Sequence, residues 1–365
     1  MNRAPHLLVS GVVLGQPMGG VRRHNRELLP RLARLLGEHG GSMAVLEGKD
    51  KIEFELPESI AILRSNVPMH PVLLRAEAES RALRKALRTK SASGKPFDLV
   101  HTAHMPAPRG LEVPFTVTLH DLRAISETNG SAPRRAIAKR VLADAMKRAL
   151  RVFTVSGTVA TELRRHFVIE EHRVGVIPNG VDHFTPAPRD VTADAPIRCI
   201  GHVEPRKNIE LVLRALALDE TLPRVEVCGA GKGAEIERLT ALAAELGVAN
   251  RVHFSGAFDE ADLPRLLATA ACVCIPSWIE GFGIVALEAQ RALAPIAVAR
   301  GSSLNEVAGD GTPSFAPTDA AACAKAIHAA IATKQSVLAH AQVRADRFTW
   351  DAAARAWFDG LMAAR

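Results

Sequence analysis

Tyrosine is absent from this 365-residue chain, and aromatic residues make up only 4% of it. Single-stranded nucleic acids are gripped by stacking on aromatic side chains, so a chain this poor in them, with no stacking motif, is not expected to bind RNA. Cysteine is scarce too: there are five, an odd number, with no C-x-x-C pair. That pattern encourages neither a disulfide framework nor a zinc site. Cys199, Cys228, Cys272 and Cys274 sit in or beside apolar runs and read as small buried hydrophobes, in keeping with a reducing cytoplasm. No stretch approaches the ~20 consecutive apolar residues of a membrane span, so any membrane contact is expected to be peripheral, at the inner face. The apolar run at 7–14 follows Arg3 as a secretory leader would, but Ser10 and Gly11 interrupt it and no A-x-A site follows. It reads as a first strand, over 7–13.

What is present is an ordinary globular composition, 47% apolar and 23% charged. At ~150 residues per domain the length suggests two domains. The formal charge of +7 favours a phosphorylated or polyanionic partner without selecting one. Short apolar runs alternate with helical patterns. Strands are expected at 43–46, 60–63, 99–102, 115–119, 152–155 and 174–177, with helices near 21–36, 71–89, 132–149 and 157–166. A Pro-bearing polar stretch at 184–196 reads as a linker. The alternation then restarts, with strands at 197–200, 225–228, 252–254, 272–275 and 295–298 and helices near 208–217, 233–246, 261–269 and 282–292. The fold class is therefore α/β, with two Rossmann-like, doubly wound domains at 1–183 and 197–349 and a last helix at 350–365 expected to pack back on the first. Ligands of such sheets bind beyond the strands' carboxyl ends.

Four blocks carry chemistry. The most informative runs Ile275-Pro-Ser-Trp-Ile-Glu280-Gly281-Phe282-Gly283-Ile284-Val285-Ala-Leu-Glu288, where a strand ends and a helix begins. Unpaired N–H groups and the positive dipole end of such a helix suit a diphosphate, and Gly281 and Gly283 permit close approach. Alone the block is also consistent with a helix start bearing two surface glutamates. A second block, Gly201-His202-Val-Glu-Pro-Arg206-Lys207-Asn208, places two cations at a strand-to-helix turn, where they can neutralise a departing phosphate. For Arg206 a solvated surface role is as plausible. In the third, a strand at 115–119 ends in His120-Asp121, a polar pair at a strand's carboxyl end. The fourth, Gly19-Gly20-Val-Arg22-Arg23, opens the first helix but lacks the G-x-G-x-x-G spacing of a dinucleotide fingerprint. Gly229 to the glycine at 231 fits a nucleotide-facing loop or a simple tight turn.

With these blocks the chain resembles the retaining, two-domain GT-B glycosyltransferases of family four (group 1), mannosyltransferases among them. The E-G-F-G-x-x-x-L-E stretch is the most specific match. The resemblance implies that Glu280 contacts donor-sugar hydroxyls, that the backbone of Phe282, Gly283, Ile284 and Val285 receives the diphosphate, and that Glu288 binds the ribose. It places Lys207 at the phosphate, His120 near the reacting oxygens with Asp121 to orient it, and Gly19, Gly20 and Arg23 on the acceptor side. Two departures stand out: His202 occupies a position where the family usually has Arg, and Arg22 replaces the third glycine of G-G-x-G-R. Pro178-Asn179-Gly180-Val181-Asp182 also matches a family motif and reads as a turn near the hinge.

The expectation is a cytoplasmic, metal-independent hexosyltransferase, since no D-x-D motif is present, with no cofactor and a GDP- or UDP-sugar as co-substrate. The His-Asp pair tilts it towards mannose, and the acceptor is a saccharide or lipid-linked hydroxyl. The rival readings are an epimerase or phosphorylase of the same architecture, a dinucleotide-dependent oxidoreductase, and a basic anion- or membrane-binding protein. The last rests on seven basic residues against one acid between Arg134 and Arg151.

Overall fold

A computed structural model describes residues 3–16, 19–126, 131–231 and 233–364; the outer domain bounds at 1 and 365 lie outside the described residues. The chain divides into two compact units, one formed by residues up to 180 together with those from 349 onward, the other by residues 181–348.

The first unit is built on seven parallel strands: β1 (His6–Ser10), β2 (Ser42–Glu47), β3 (Ile60–Arg64), β4 (Leu99–Thr102), β5 (Phe115–Leu119), β6 (Arg151–Thr154) and β7 (Val174–Val176). They lie in the order β3-β2-β1-β4-β5-β6-β7. The register places Leu8 between Ala44 and Val100, and Val117 beside Val152. Helices α1 (Gly19–Glu38), α2 (Val72–Leu87), α3 (Ala132–Arg148) and α4 (Gly157–His166) connect them. Leu83 of α2, Leu142 and Met146 of α3 and Leu163 of α4 share one core with Leu8, Val100, Val117 and Val152. The inner strands β1, β4 and β5 are buried along their whole length, as parallel strands covered by helices are, while β3 and β7 at the sheet's edges are partly exposed.

The first strand stops three residues earlier than the apolar run suggests. Gly11 sits so close to the second strand that an added Cβ would lie 2.5 Å from Val45 Cγ1, and the chain then turns, with Leu14 N–H donating to Gly11 O at 2.9 Å. Val12, Val13 and Leu14 are buried in that turn instead of in the sheet.

In the second unit β8 (Ile197–Ile200), β9 (Val225–Cys228), β10 (Val252–Gly256), β11 (Cys272–Ile275), β12 (Ile296–Ala299) and β13 (Ser314–Phe315) form a parallel sheet in the order β10-β9-β8-β11-β12-β13. Its helices are α5 (Ile209–Leu218), α6 (Gly233–Glu245), α7 (Leu263–Ala268), α8 (Ile284–Arg291), α9 (Leu304–Ala308), α10 (Ala320–Ile331) and α11 (Gln335–Ala345). All five cysteines are buried, and burial pushes the Cys228 thiol up to about 11. Strand order reverses between β8 and β11, the point where open α/β sheets leave a crevice at the strands' carboxyl ends. Residues 184–196, polar enough to read as a linker, pack on this unit. Arg189 donates to the carbonyls of Leu267 and Ala270, and Phe184 is buried.

The last helix, α12 (Trp350–Ala363), belongs to the first unit and packs on α1. Thr349 caps it, its side chain accepting from Ala352 N–H. No helix among the described residues is long and apolar enough to cross a membrane.

Candidate functional site

The loops after β8 and β11 meet at the reversal point of the second sheet. Pro205–Lys207 forms a single 3-10 turn, closed by Asn208 in the left-handed region at φ 53°. Asn208 holds that conformation because its Nδ2 donates to the carbonyls of Pro276 (3.1 Å) and Pro317 (2.9 Å). Trp278 N–H donates to Arg206 O at 2.9 Å, joining the two loops directly.

This scaffold brings Arg206, Lys207 and Glu280 together. Lys207 Nζ donates to Glu280 Oε1 at 2.6 Å, and Arg206 Nη1 approaches Glu280 Oε2 at 3.4 Å and donates to Ile279 O at 3.2 Å. Ser277 Oγ also donates to Glu280 Oε1 at 2.8 Å, Ser303 Oγ holds the Glu280 carbonyl at 2.7 Å, and Glu204 pairs with Arg206 at 2.7 Å. Burial alone would raise the Glu280 carboxyl, but Lys207 and Arg206, with hydrogen bonds from Lys207 and Ser277, outweigh it and hold it below the usual carboxylate range. Glu280 is therefore an ionised hydrogen-bond acceptor at neutral pH. Two cations face two carboxylates here, so an arriving anion would compete with Glu280 for Lys207.

Beyond Glu280 the chain turns into α8 through Gly283, at φ 85°. A side chain there would place Cβ 2.5 Å from Leu304 Cδ2, so glycine is required by space as well as by torsion. The helix has no side-chain cap and no acid in its first turn. Its leading N–H groups, at the half-buried Ile284 and Val285, lack intrahelical partners, which is the arrangement that receives an anion. Phe282 is buried, its ring 6.0 Å from that of Phe348. Glu288 lies a turn inside, only 1% exposed, with its Oε1 3.3 Å from His183 Nε2. After β9, Gly229 lies against the chain at Gly201, where an added Cβ would be 2.0 Å from Gly201 O. His202 is exposed in the same turn.

In the first unit His120 follows β5. Asp121 turns away to Arg123, accepting its N–H at 3.1 Å. The ring against His120 is that of His24 on α1, with centroids 4.8 Å apart and planes at 86°. Gly19 and Gly20 form the exposed start of α1, and an added Cβ at either would meet nothing within 4 Å. Arg23 is half-buried on the same helix, and Arg22 pairs with Glu53 at 2.9 Å.

Sequence reasoning missed Ser277, Ser303, His183 and His24. Ser277 lies inside the motif and was readable as a short-range partner of Glu280. Ser303, 23 residues on, and His183, 105 residues away from Glu288, become partners only through the fold.

The family model described as glycosyl transferases group 1 matches residues 192–345, and that described as glycosyltransferase family 4 matches 18–183. Among curated relatives, a D-inositol 3-phosphate glycosyltransferase of Mycobacterium sp. (strain JLS) is 31% identical over 225 residues, covering 54% of this chain and 49% of that protein. An MMP alpha-(1->4)-mannosyltransferase of Mycolicibacterium hassiacum is 33% identical over 159 residues, covering 43% of this chain and 39% of that one. The match thus spans about half or less of these relatives' length. The solved structure of Anabaena HepE in complex with UDP-glucose superposes with a TM-score of 0.71 at 16% identity, covering 98% of this chain and 99% of that one. At that identity the likeness bears on the fold.

Proposed function

From the premise that this chain belongs to the family-four, group 1 glycosyltransferases of GT-B fold, we propose that it transfers a hexose, with retention of configuration, from a nucleoside-diphosphate sugar held by its second unit. The observation that carries the reading is the Lys207–Glu280 contact of 2.6 Å at the sheet's reversal point, in the loop that leads into the uncapped start of α8. Cleaving the glycosidic bond leaves growing negative charge on the departing diphosphate. Lys207, Arg206 and the leading N–H groups of α8 are the groups that stabilise it. Glu280, ionised and accepting, takes hydrogen bonds from sugar hydroxyls once the diphosphate engages Lys207. Glu288, steadied by His183, binds the ribose, and the glycine at 229 lets the nucleotide approach the backbone. In the first unit His120 serves the reacting oxygens, and Gly19, Gly20 and Arg23 serve the acceptor.

Mannose is the favoured sugar, on the His120-Asp121 pair and on the mannosyltransferase among the relatives. UDP-glucose, the ligand of the Anabaena protein, is its main competitor. The acceptor is a hydroxyl of a saccharide, a phosphorylated polyol or a lipid-linked sugar, the reaction needs no metal, and the setting is cytoplasmic.

The test is a thermal-shift panel of GDP, UDP, ADP and their sugars without metal, on the parent and on Glu288→Ala. Binding to the native state raises apparent stability by mass action. Stabilisation by one nucleotide class that fades in Glu288→Ala supports the site and names the donor. Absence of any shift with every nucleotide overturns it and returns the basic-binder reading.

A further inference from the structure

We propose that His24 is a positioning residue for His120, fixing its imidazole in orientation and in the neutral state, with Asn179 setting the protonation pattern of the pair. This rests on the reading that His120 serves the transfer reaction.

His24 sits near the start of α1, 1% exposed, with Nδ1 2.7 Å from Asn179 Oδ1. A carboxamide oxygen only accepts, so Nδ1 carries the hydrogen and, on a neutral ring, Nε2 is left as a bare acceptor. That Nε2 is buried with no hydrogen-bond partner among the described residues, and so is Nε2 of His120. Two unmatched buried nitrogens on touching rings carry a desolvation cost that a purely structural pair would avoid. The perpendicular arrangement, edge of one ring to face of the other at 4.8 Å, means that neither ring can rotate without displacing its neighbour.

The surroundings hold both rings neutral. His101 on β4 faces them, bonded to Thr116 Oγ1 at 2.8 Å and Thr118 Oγ1 at 3.3 Å, and behind it His104 is paired with Glu79 at 2.8 Å. Arg123 approaches from the 3-10 turn after β5, its guanidinium paired with Asp121 at 3.7 Å. From α12 come Trp350 and Trp357, with ring centroids 6.2 and 6.5 Å from that of His24. Burial, then His24, His101 and Arg123, push the His120 ring well below its ordinary value. Burial takes His24 to about 4 against the opposing bond to Asn179. Neutrality matters because an imidazolium beside a developing oxocarbenium ion would repel it, whereas a free ring nitrogen can accept from a sugar hydroxyl. Among the described residues Asn179 is the one polar side chain bonded to His24, and it is uncharged. Aspartate in its place would put an acid directly on the pair.

The deciding experiment labels the histidine rings with nitrogen-15 and follows their shifts from pH 5 to 8 in the parent, Asn179→Asp, Asn179→Leu and His24→Phe, each first checked for cooperative melting. Release of nucleoside diphosphate from GDP-mannose and UDP-glucose is measured over the same range. In the parent both rings stay neutral and His24 shows the Nδ1–H form. In Asn179→Asp the His24 pKa rises by ~1–3 units, the usual effect of an adjoining carboxylate. The His120 ring signals move with that titration, and donor turnover falls as pH drops through the raised His24 value, between about 7 and 5, while the parent's profile stays flat over pH 5–8. In Asn179→Leu and His24→Phe the His120 ring nitrogens move away from their parent shifts. Parent-like His120 shifts in every variant overturn the proposal, as does a parent-like pH profile in Asn179→Asp. If the parent releases no nucleoside diphosphate from either donor, the transfer reading falls, while the nitrogen shifts still decide whether His24 governs His120.

Discussion

Lys207 Nζ and Glu280 Oε1, 73 residues apart in sequence, lie 2.6 Å from each other where the strand order of the second sheet reverses. The pair fixes the ammonium group proposed to bind the donor phosphate. Lys207→Ala removes that cation and leaves the Glu280 carboxylate with Arg206 at 3.4 Å and Ser277. Transfer is expected to fall by ~10²–10³ in kcat, the scale of losing one transition-state charge partner. Stability falls by about 1–3 kcal/mol, because a buried acceptor loses its charged donor. Steady-state kinetics and a urea melt check the two parts separately.

Gly283 and Gly229 are predicted to tolerate no side chain. Alanine at 283 faces both a φ of 85° and a 2.5 Å approach to Leu304, and alanine at 229 meets the Gly201 carbonyl at 2.0 Å. Leu304 is a side chain and can shift, whereas Gly201 O is backbone. Gly229→Ala is therefore expected to be the more damaging of the two. Thermal melts with and without nucleotide test the order: both variants lose the nucleotide shift, and Gly229→Ala melts lower without ligand.

The fold was largely legible, for reasons visible in particular residues. Strands such as Cys272–Ile275 and Ile197–Ile200 are short apolar runs bounded by turn residues, and the structure ends them where the sequence does. The first strand misled because Val12 and Val13 are as apolar as their predecessors; what ends the strand is the close approach of Gly11 to Val45, a tertiary fact. The motif blocks could be read because each is contiguous. His24, Ser303 and His183 could not, since each is one polar residue whose partner lies on a distant element. Arg189 is similar: on a polar, Pro-rich stretch it reads as linker, yet it satisfies two carbonyls at the end of α7 and beyond.

Asn208 separates torsion from hydrogen bonding. Asn208→Gly keeps the left-handed conformation at φ 53° but loses both bonds from Nδ2, while Asn208→Ala loses the bonds and is strained as well. The alanine variant is expected to cost roughly 1 kcal/mol more than the glycine variant. Both loosen the turn that carries Arg206 and Lys207, so donor KM rises in both. Equal stabilities for the two variants in denaturant melts would mean that the torsion contributes nothing.

The buried histidines should make the protein acid-sensitive well above the pH at which carboxylates titrate. Burial depresses His24 to about 4 and His101 to about 3, from an ordinary 6.5. A depressed folded value means that the unfolded chain binds the proton more readily. Stability from these rings is therefore fully present above pH 6.5, declines as pH falls below it, and is lost once pH passes through the folded values. At about 1.4 kcal/mol per pKa unit, the two rings together can account for several kcal/mol between pH 6.5 and pH 4. His24→Phe removes one titrating ring while keeping its bulk, so its stability should fall less steeply over that window than the parent's. Glu280 acts in a lower window, because its depressed carboxyl contributes above its ordinary 4.5 and loses that contribution only as pH falls through the folded value. Urea melts at half-unit pH intervals distinguish the two: identical slopes for His24→Phe and parent between pH 6.5 and pH 4.5 would show that His24 is already protonated, or solvated, in the folded protein.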